Sequence, residues 1–310
     1  MAVLNWQVKS AIQRTCGALP WISEPVYYQI QRRFGSFRRP PAPTVLFREA
    51  VSLSEWMDQA GISIKEARVF EVGTGRRVDL PLGFYLCGSA AVWTFDLHRY
   101  LKPELVAEAL AFVRDHRHDV GTVFAGRNGS AARLDRICKA GNVEELLNTA
   151  GIVYHAPADA ARTGLPSHSI DVHTSYTAFE HISPDALAAI LQEARRLLSP
   201  RGVLLHHIDP SDHFSHDDPS ISAIHFLRFS ESEWRRYGDN QFAYHNRLRV
   251  TQFRQLFEEC GFEVVRWETH LDARALNALN NGFPVHADFR GFSPEILCST
   301  VVRVLARARN

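Results

Sequence analysis

Fifteen histidines occur in 310 residues, about twice the usual share of roughly 2%. Histidine is the side chain suited to acid–base work, metal ligation and pH switching. The densest stretch runs from His206-His207-Ile208-Asp209-Pro210 into Asp212-His213-Phe214-Ser215-His216-Asp217-Asp218-Pro219. Such a stretch could bind a divalent metal that lowers the pKa of a substrate hydroxyl. It could equally form a polar lid loop that hydrogen-bonds a sugar-like substrate. The spacing matches no metal motif, so no metal ligand is assigned. If the acceptor is a hydroxyl, a general base helps, and the candidates are His206, His207 and His181. Successive strand residues face opposite ways, so at most one of His206 and His207 faces a given pocket.

A second group of residues could hold a ligand rather than transform it. Glu71-Val72-Gly73-Thr74-Gly75-Arg76-Arg77 follows the apolar run Val69-Phe70, placing Gly-x-Gly just after a strand. Glycine there permits a tight turn and a close backbone approach to a ligand. The dinucleotide fingerprint would need a small third residue, and Val78 stands there instead. Asp96 closes the next apolar run, Ala91–Phe95. Asp159 precedes Leu165-Pro166 and Ser169-Ile170-Asp171-Val172.

These residues need strands to carry them. Short apolar runs predict strands over 67–72, 91–95, 152–155, 169–175, 202–207, 262–267 and 297–305. Between them, period and capping predict helices over 102–116, 183–198 and 250–260, with Ser183 as N-cap and Pro184 in the first turn. A further short helix is expected over 50–60. Strands alternating with helices imply a mainly parallel sheet covered on both faces, with ligands at the carboxyl ends of the strands. The composition is that of an ordinary globular protein, with 45% hydrophobic and 22% charged residues. Five cysteines, odd in number and without CxxC spacing, argue against a disulfide framework and for a reducing, cytoplasmic setting. A formal net charge of +1 is small for a protein held to nucleic acid by phosphate neutralisation. No apolar run approaches a membrane span.

Taken together, the motifs resemble those of class I S-adenosylmethionine-dependent methyltransferases. The matching elements are Glu71-Val72-Gly73-Thr74-Gly75, Asp96, Asp159 with Leu165-Pro166, Phe179-Glu180-His181-Ile182, and Leu198-Ser199-Pro200-Arg201-Gly202. The resemblance implies a seven-stranded, mainly parallel Rossmann-like sheet with helices on both faces. It implies S-adenosylmethionine as cofactor, held by Glu71, Gly73, Thr74, Gly75, Asp96 and Asp159. Arg77 stands where many members have a third glycine, and an Arg76-Arg77 pair could hold the cofactor carboxylate by charge-assisted contacts.

The expected activity is O-methylation of a small molecule such as a sugar or glycan precursor. The alternatives are an RNA or protein methyltransferase and a non-catalytic cofactor-binding subunit. Residues 1–64 are expected to form an N-terminal helical extension or lid and 65–310 the catalytic domain, with 98–151 and 209–249 as insertions or lid segments. Few apolar residues between 209 and 223 predict loop rather than core. Residues 1–43 carry six basic side chains against Glu24 alone. This segment ends in Arg39-Pro40-Pro41-Ala42-Pro43 and is expected to pack across the site, with weak contact to an acidic surface as a second option. The expected partners are a small molecule and, for the chain itself, a homodimer.

Overall fold

Each strand is a short apolar run whose alternate residues enter opposite layers. In β1 (Arg68–Val72), Val69 joins one core and Phe70 the other. The remaining strands are β2 (Ala91–Phe95), β3 (Ile152–His155), β4 (Ile170–Tyr176), β5 (Leu198–Ile208), β6 (Phe262–Leu271) and β7 (Ser299–Ala308). They make one seven-stranded sheet in the order β3-β2-β1-β4-β5-β7-β6. Pairing is parallel from β3 through β5 and antiparallel on both sides of β7. The expected α/β, Rossmann-like sheet is therefore present. The coordinates are a computed structural model that describes residues 5–19, 21–38 and 42–309. The expected proline boundary at Arg39-Pro40-Pro41 lies outside the described residues.

Two N-terminal helices, α1 (Trp6–Gly17) and α2 (Ser23–Phe34), precede α3 (Thr44–Gln59) and α4 (Asp79–Cys87). Four helices fill the interval between β2 and β3: α5 (Pro103–Asp115), α6 (Arg117–Val123), α7 (Ser130–Cys138) and α8 (Val143–Ala150). The rest are α9 (Pro184–Leu197), α10 (Glu231–Gly238), α11 (Val250–Glu259), α12 (Ala273–Asn280) and the short α13 (Pro294–Leu297). Among the described residues no helix is long and apolar enough to cross a membrane.

One face of the sheet is covered by α3, α4 and α5, which bury Phe47, Leu53, Met57, Leu82, Phe84, Val106 and Leu110 against Val69, Val92, Val203 and Leu205. The other face takes α9 and α11, through Leu187, Leu191, Phe253 and Phe257 packed on Phe70, Leu204 and Val304. Helix α9 begins as expected, with the Ser183 hydroxyl accepting from the Ala186 N–H and Pro184 in its first turn.

A third core stands apart from the sheet. Trp6 of α1, Phe214, Ile221, Ile224, Phe226, Trp234 of α10 and Phe289 are buried together. This corrects the reading of 209–223 as loop rather than core. The backbone there is irregular, but Phe214 and Ile221 are buried. The polar residues between them spend their groups locally: Asp212 accepts from the Phe214 N–H, and Asp218 accepts from the N–H groups of Ser220 and Trp6. A few apolar side chains then suffice, because α1 supplies the rest of the core.

Candidate functional site

The strand order reverses between β1 and β4, and the crevice at that point is where open α/β sheets bind ligands. Two half-sites face it. The first is built on the turn after β1. Gly73 and Gly75 have φ of +83° and +70°, the left-handed region that glycine occupies without strain. At Gly73 a side chain would also collide, since a Cβ there would lie 2.7 Å from the Ala178 Cβ. The Gly75 N–H donates to Asp96 at 3.2 Å, and the Tyr154 hydroxyl donates to the same carboxylate at 3.1 Å. Tyr154 in turn accepts from the N–H groups of Tyr100 and Leu101. Two of the four acceptor positions of Asp96 are thus used to fix it, leaving the others for a ligand. Burial pushes its pKa up to about 6.

Glu71 is buried and accepts from the Thr94 hydroxyl at 2.5 Å, and that hydroxyl also touches the Thr74 hydroxyl. Burial, with Asp96 and Asp79 nearby, pushes Glu71 up to about 8. Asp79, at the start of α4, is buried and pushed up to about 6, opposed only by Arg77 at 2.9 Å. Three acids and one partly compensating arginine leave the glycine turn with a deficit of positive charge. A cationic ligand would offset it. Asp159 is exposed and accepts from the Ala161 N–H at 2.8 Å, closing a turn. Leu97, immediately after Asp96, is 64% exposed, an uncovered apolar side chain beside the acid.

The two arginines after the turn do not reach freely into solvent. Arg77 is committed to Asp79. Arg76 pairs with Glu24 of α2 at 2.5 Å and lies over the rings of Tyr28, Phe37 and Tyr100. Lys102 joins Glu24 at 2.9 Å, and Tyr28 donates to Glu104 at 2.7 Å. Helix α2 is therefore laid over the glycine turn.

The second half-site lies after β4 and β5. Asp209 follows β5, and its Oδ2 lies 3.3 Å from His213 Nε2 and 3.5 Å from His216 Nε2. The His213 ring packs edge-on against His181 and His245, with centroids 4.9 and 4.2 Å away. His181 Nδ1 meets the Tyr244 carbonyl at 2.8 Å, and His245 Nδ1 meets the Ala243 carbonyl at 3.2 Å. Glu180 is fully enclosed; neither carboxylate oxygen has a hydrogen-bond partner, and burial raises its pKa well above the ordinary range. Asp209 is held low, at about 2, by His213 and the Ser211 contact working against its burial.

Asn246 fixes this arrangement. Its side chain donates to the carbonyls of Phe179 and Ile182, both at 2.8 Å, and its N–H donates to Glu180 O at 2.9 Å. Two non-glycine residues flank the cluster in the left-handed region, Thr177 at φ +45° and Arg247 at φ +56°. That conformation costs of order 1–3 kcal/mol each and concentrates at functional sites. Arg249 is wholly buried; it donates to the Pro210 carbonyl at 2.7 Å while its NH1 has no partner. Burial brings its pKa down to about 9.

The base candidates fall in three different places. His206 sits in the core, with Nδ1 at 2.8 Å from the Ser175 hydroxyl, Nε2 at 3.3 Å from His173, and its ring against Phe179 and Phe257. His207 faces the opposite side of the sheet, where Nδ1 meets Glu49 of α3 at 2.8 Å and Arg303 closes the ion pair. His181 alone of the three belongs to the cluster. His213 and His245 complete it, and His245 was not singled out by sequence because it lies far along the chain. Its only signal is its place in the polar run Tyr244-His245-Asn246-Arg247.

A family model described as a methyltransferase domain matches residues 47–266. No curated protein matches the chain. Among solved structures, the magnesium protoporphyrin IX methyltransferase of Synechocystis PCC 6803, crystallised with SAH, is 12% identical with a TM-score of 0.47, covering 96% of this chain and 100% of that one. An S-adenosylmethionine-dependent methyltransferase from Mesorhizobium loti is 16% identical with a TM-score of 0.43, over 83% and 99% of the two chains. One from Methanosarcina mazei is 12% identical with a TM-score of 0.46, over 82% and 97%. Nothing about a substrate follows from these three structures.

Proposed function

Because the chain belongs to the methyltransferase domain family, as a class I S-adenosylmethionine-dependent enzyme, we propose that it methylates an oxygen of a polar small molecule, such as a sugar or glycan precursor. The observation that carries this reading is the convergence of His181, His213, Asp209 and Glu180 after β4 and β5, on the other side of the strand-order reversal from the glycine turn. A hydroxyl acceptor must be oriented and must lose its proton, and this cluster offers acceptors for both tasks.

The residues of the first half-site fit the cofactor. Glu71, Asp79 and Asp96 form a buried acidic wall, which suits a ligand carrying an ammonium and a sulfonium. The turn at Gly73, Thr74 and Gly75 lets the main chain approach it. Asp96 keeps two acceptor positions for ribose hydroxyls, Leu97 offers an apolar face for the adenine, and Asp159 stands after β3 as the acid for its amino group. When bound, S-adenosylmethionine supplies a methyl on a positively charged sulfur that departs as a neutral thioether, so the protein's task is positioning and electrostatics. Helices α1 and α2 act as the roof. Helix α2 covers the glycine turn through Glu24 and Tyr28, and α1 covers the cluster through Lys9, which donates to the His213 carbonyl at 3.2 Å.

In this reading the cluster around His181 orients the acceptor, whereas His206 and His207 hold the sheet together. The test is calorimetry with S-adenosylmethionine, followed by a screen of hydroxyl-bearing acceptors with mass detection of one added methyl. Cofactor binding with methyl ether products supports the reading. No cofactor binding, or products methylated only on nitrogen, overturns it.

A further inference from the structure

We propose that His181, His213 and His245 hold a divalent transition metal of the zinc type. One ring nitrogen from each of the three histidines lies within 4.8 Å of the others. In His181 and His245 the Nδ1 side is spent on main-chain carbonyls. A neutral imidazole whose Nδ1–H donates to a carbonyl carries its lone pair on Nε2, the arrangement that orients metal-bound histidine. The Nε2 of His245 is buried and has no partner. Lone pairs turned toward one another cannot satisfy each other by hydrogen bonding; a cation between them can.

Two carboxylates sharpen the point. Glu180 is 1% exposed, its two oxygens have no hydrogen-bond partner, and Oε1 lies 3.9 Å from His213 Nε2. A buried acid is stabilised by a positive charge nearby. Asp209 Oδ2 reaches the same His213 nitrogen at 3.3 Å. Three imidazoles make a nitrogen set of the kind zinc and its first-row neighbours take, with a fourth position left for water or the acceptor. The set is braced from behind, because Asn246, the residue after His245, donates to the turn carrying Glu180 and His181. His181 keeps an exposed edge, which leaves a way in for ion and acceptor. A second grouping of Asp209, His213 and His216 shares His213, and the experiment separates the two.

The role of the metal rests on the O-methylation reading: at this place it would bind the acceptor oxygen and make its proton easier to release to a neighbouring carboxylate. The metal site itself is tested without turnover. The full chain, stripped with a chelator and shown folded by circular dichroism, is titrated with zinc chloride in a calorimeter and with cobalt(II) in a visible spectrometer. The expected result is about one equivalent of metal and the absorption bands of a four-coordinate cobalt site. His181→Gln and His245→Gln should each weaken zinc binding by about 10–100-fold. His216→Gln and the remote surface variant His118→Gln should leave it unchanged. Absence of stoichiometric binding by the folded wild-type chain overturns the proposal. So does loss of binding in His216→Gln with none in His181→Gln. Cofactor binding measured in parallel keeps the two ideas apart. A chain that binds zinc but no S-adenosylmethionine refutes the enzyme reading alone; the converse refutes the metal alone.

Discussion

The two half-sites facing the crevice are built in opposite ways. The glycine-turn half is assembled from the ends of adjacent parallel strands, and its acids are positioned by main-chain N–H groups and hydroxyls, as at Asp96 and Glu71. The histidine half is assembled from three separate segments, around 180, 209–216 and 245–249, and its side chains are positioned by one another and by Asn246. The first inherits its geometry from the sheet. The second depends on the third core, where Trp6, Phe214 and Trp234 pack away from the sheet. The first half is the proposed cofactor side and the second the proposed acceptor side.

The sharpest way to break this division is at its acceptor end. Asp209→Asn should lower kcat by about 100-fold while the calorimetric Kd for S-adenosylmethionine stays within about twofold. An equal loss in both would show that the halves are not separate. Next in size, Asp96→Ala removes a carboxylate expected to make charge-assisted bonds to the ribose. It should cost about 2–3 kcal/mol of cofactor binding, roughly 30–150-fold, without changing metal or acceptor binding. Retained cofactor affinity would remove Asp96 from the binding set.

Gly73→Ala probes the contact between the halves. The substitution imposes a side chain at φ +83° and a Cβ 2.7 Å from that of Ala178. A loss of about 1–3 kcal/mol in denaturant-induced unfolding is expected, with activity falling through both cofactor and acceptor. Unchanged stability would mean that the two turns are not pressed together.

The subtlest test is the pH dependence of stability without ligand. Glu71 is held near 8 in the folded chain against 4.5 when unfolded, so between these values the folded state keeps a proton that the unfolded state has lost. Stability is therefore greatest at the acid end of this window and falls as pH rises toward 8. Asp79 and Asp96, both near 6, add to the fall at lower pH. Glu71→Gln should flatten the curve between about pH 6 and 8. A slope identical to that of the wild type would show that Glu71 is not the group responsible.

Much of the cofactor half could be read in the chain because its residues are consecutive. Glu71 through Gly75 occupy one turn, and Asp96 closes the neighbouring strand, so local spacing already places them together. The base candidates show the limit. His206 and His207 are adjacent in sequence, and alternation along a strand correctly separates their faces. Alternation does not say that one face leads to Phe179 and Phe257 and the other to Glu49. Nor does local pattern signal that His245 will stand against His181 and His213, since the contact closes a long loop whose path is set by α10 and the third core. Arg76 is similar: beside the glycine turn it suggests a ligand contact, but Glu24 and Tyr28 arrive from α2 and claim it.

Sequence by itself located the seven strands, four of the helices (α3, α5, α9 and α11), the mainly parallel arrangement, the glycine turn and the acids around it, and through them the family. Each follows from interactions between near neighbours: apolar periodicity, capping and backbone conformation. Tertiary structure alone decided which of the fifteen histidines meet, which carboxylates are left buried without partners, and which face of β5 each imidazole serves. Those outcomes depend on desolvation and on contacts between segments far apart in the chain. Such contacts take effect only when the whole fold excludes water from the place where they meet.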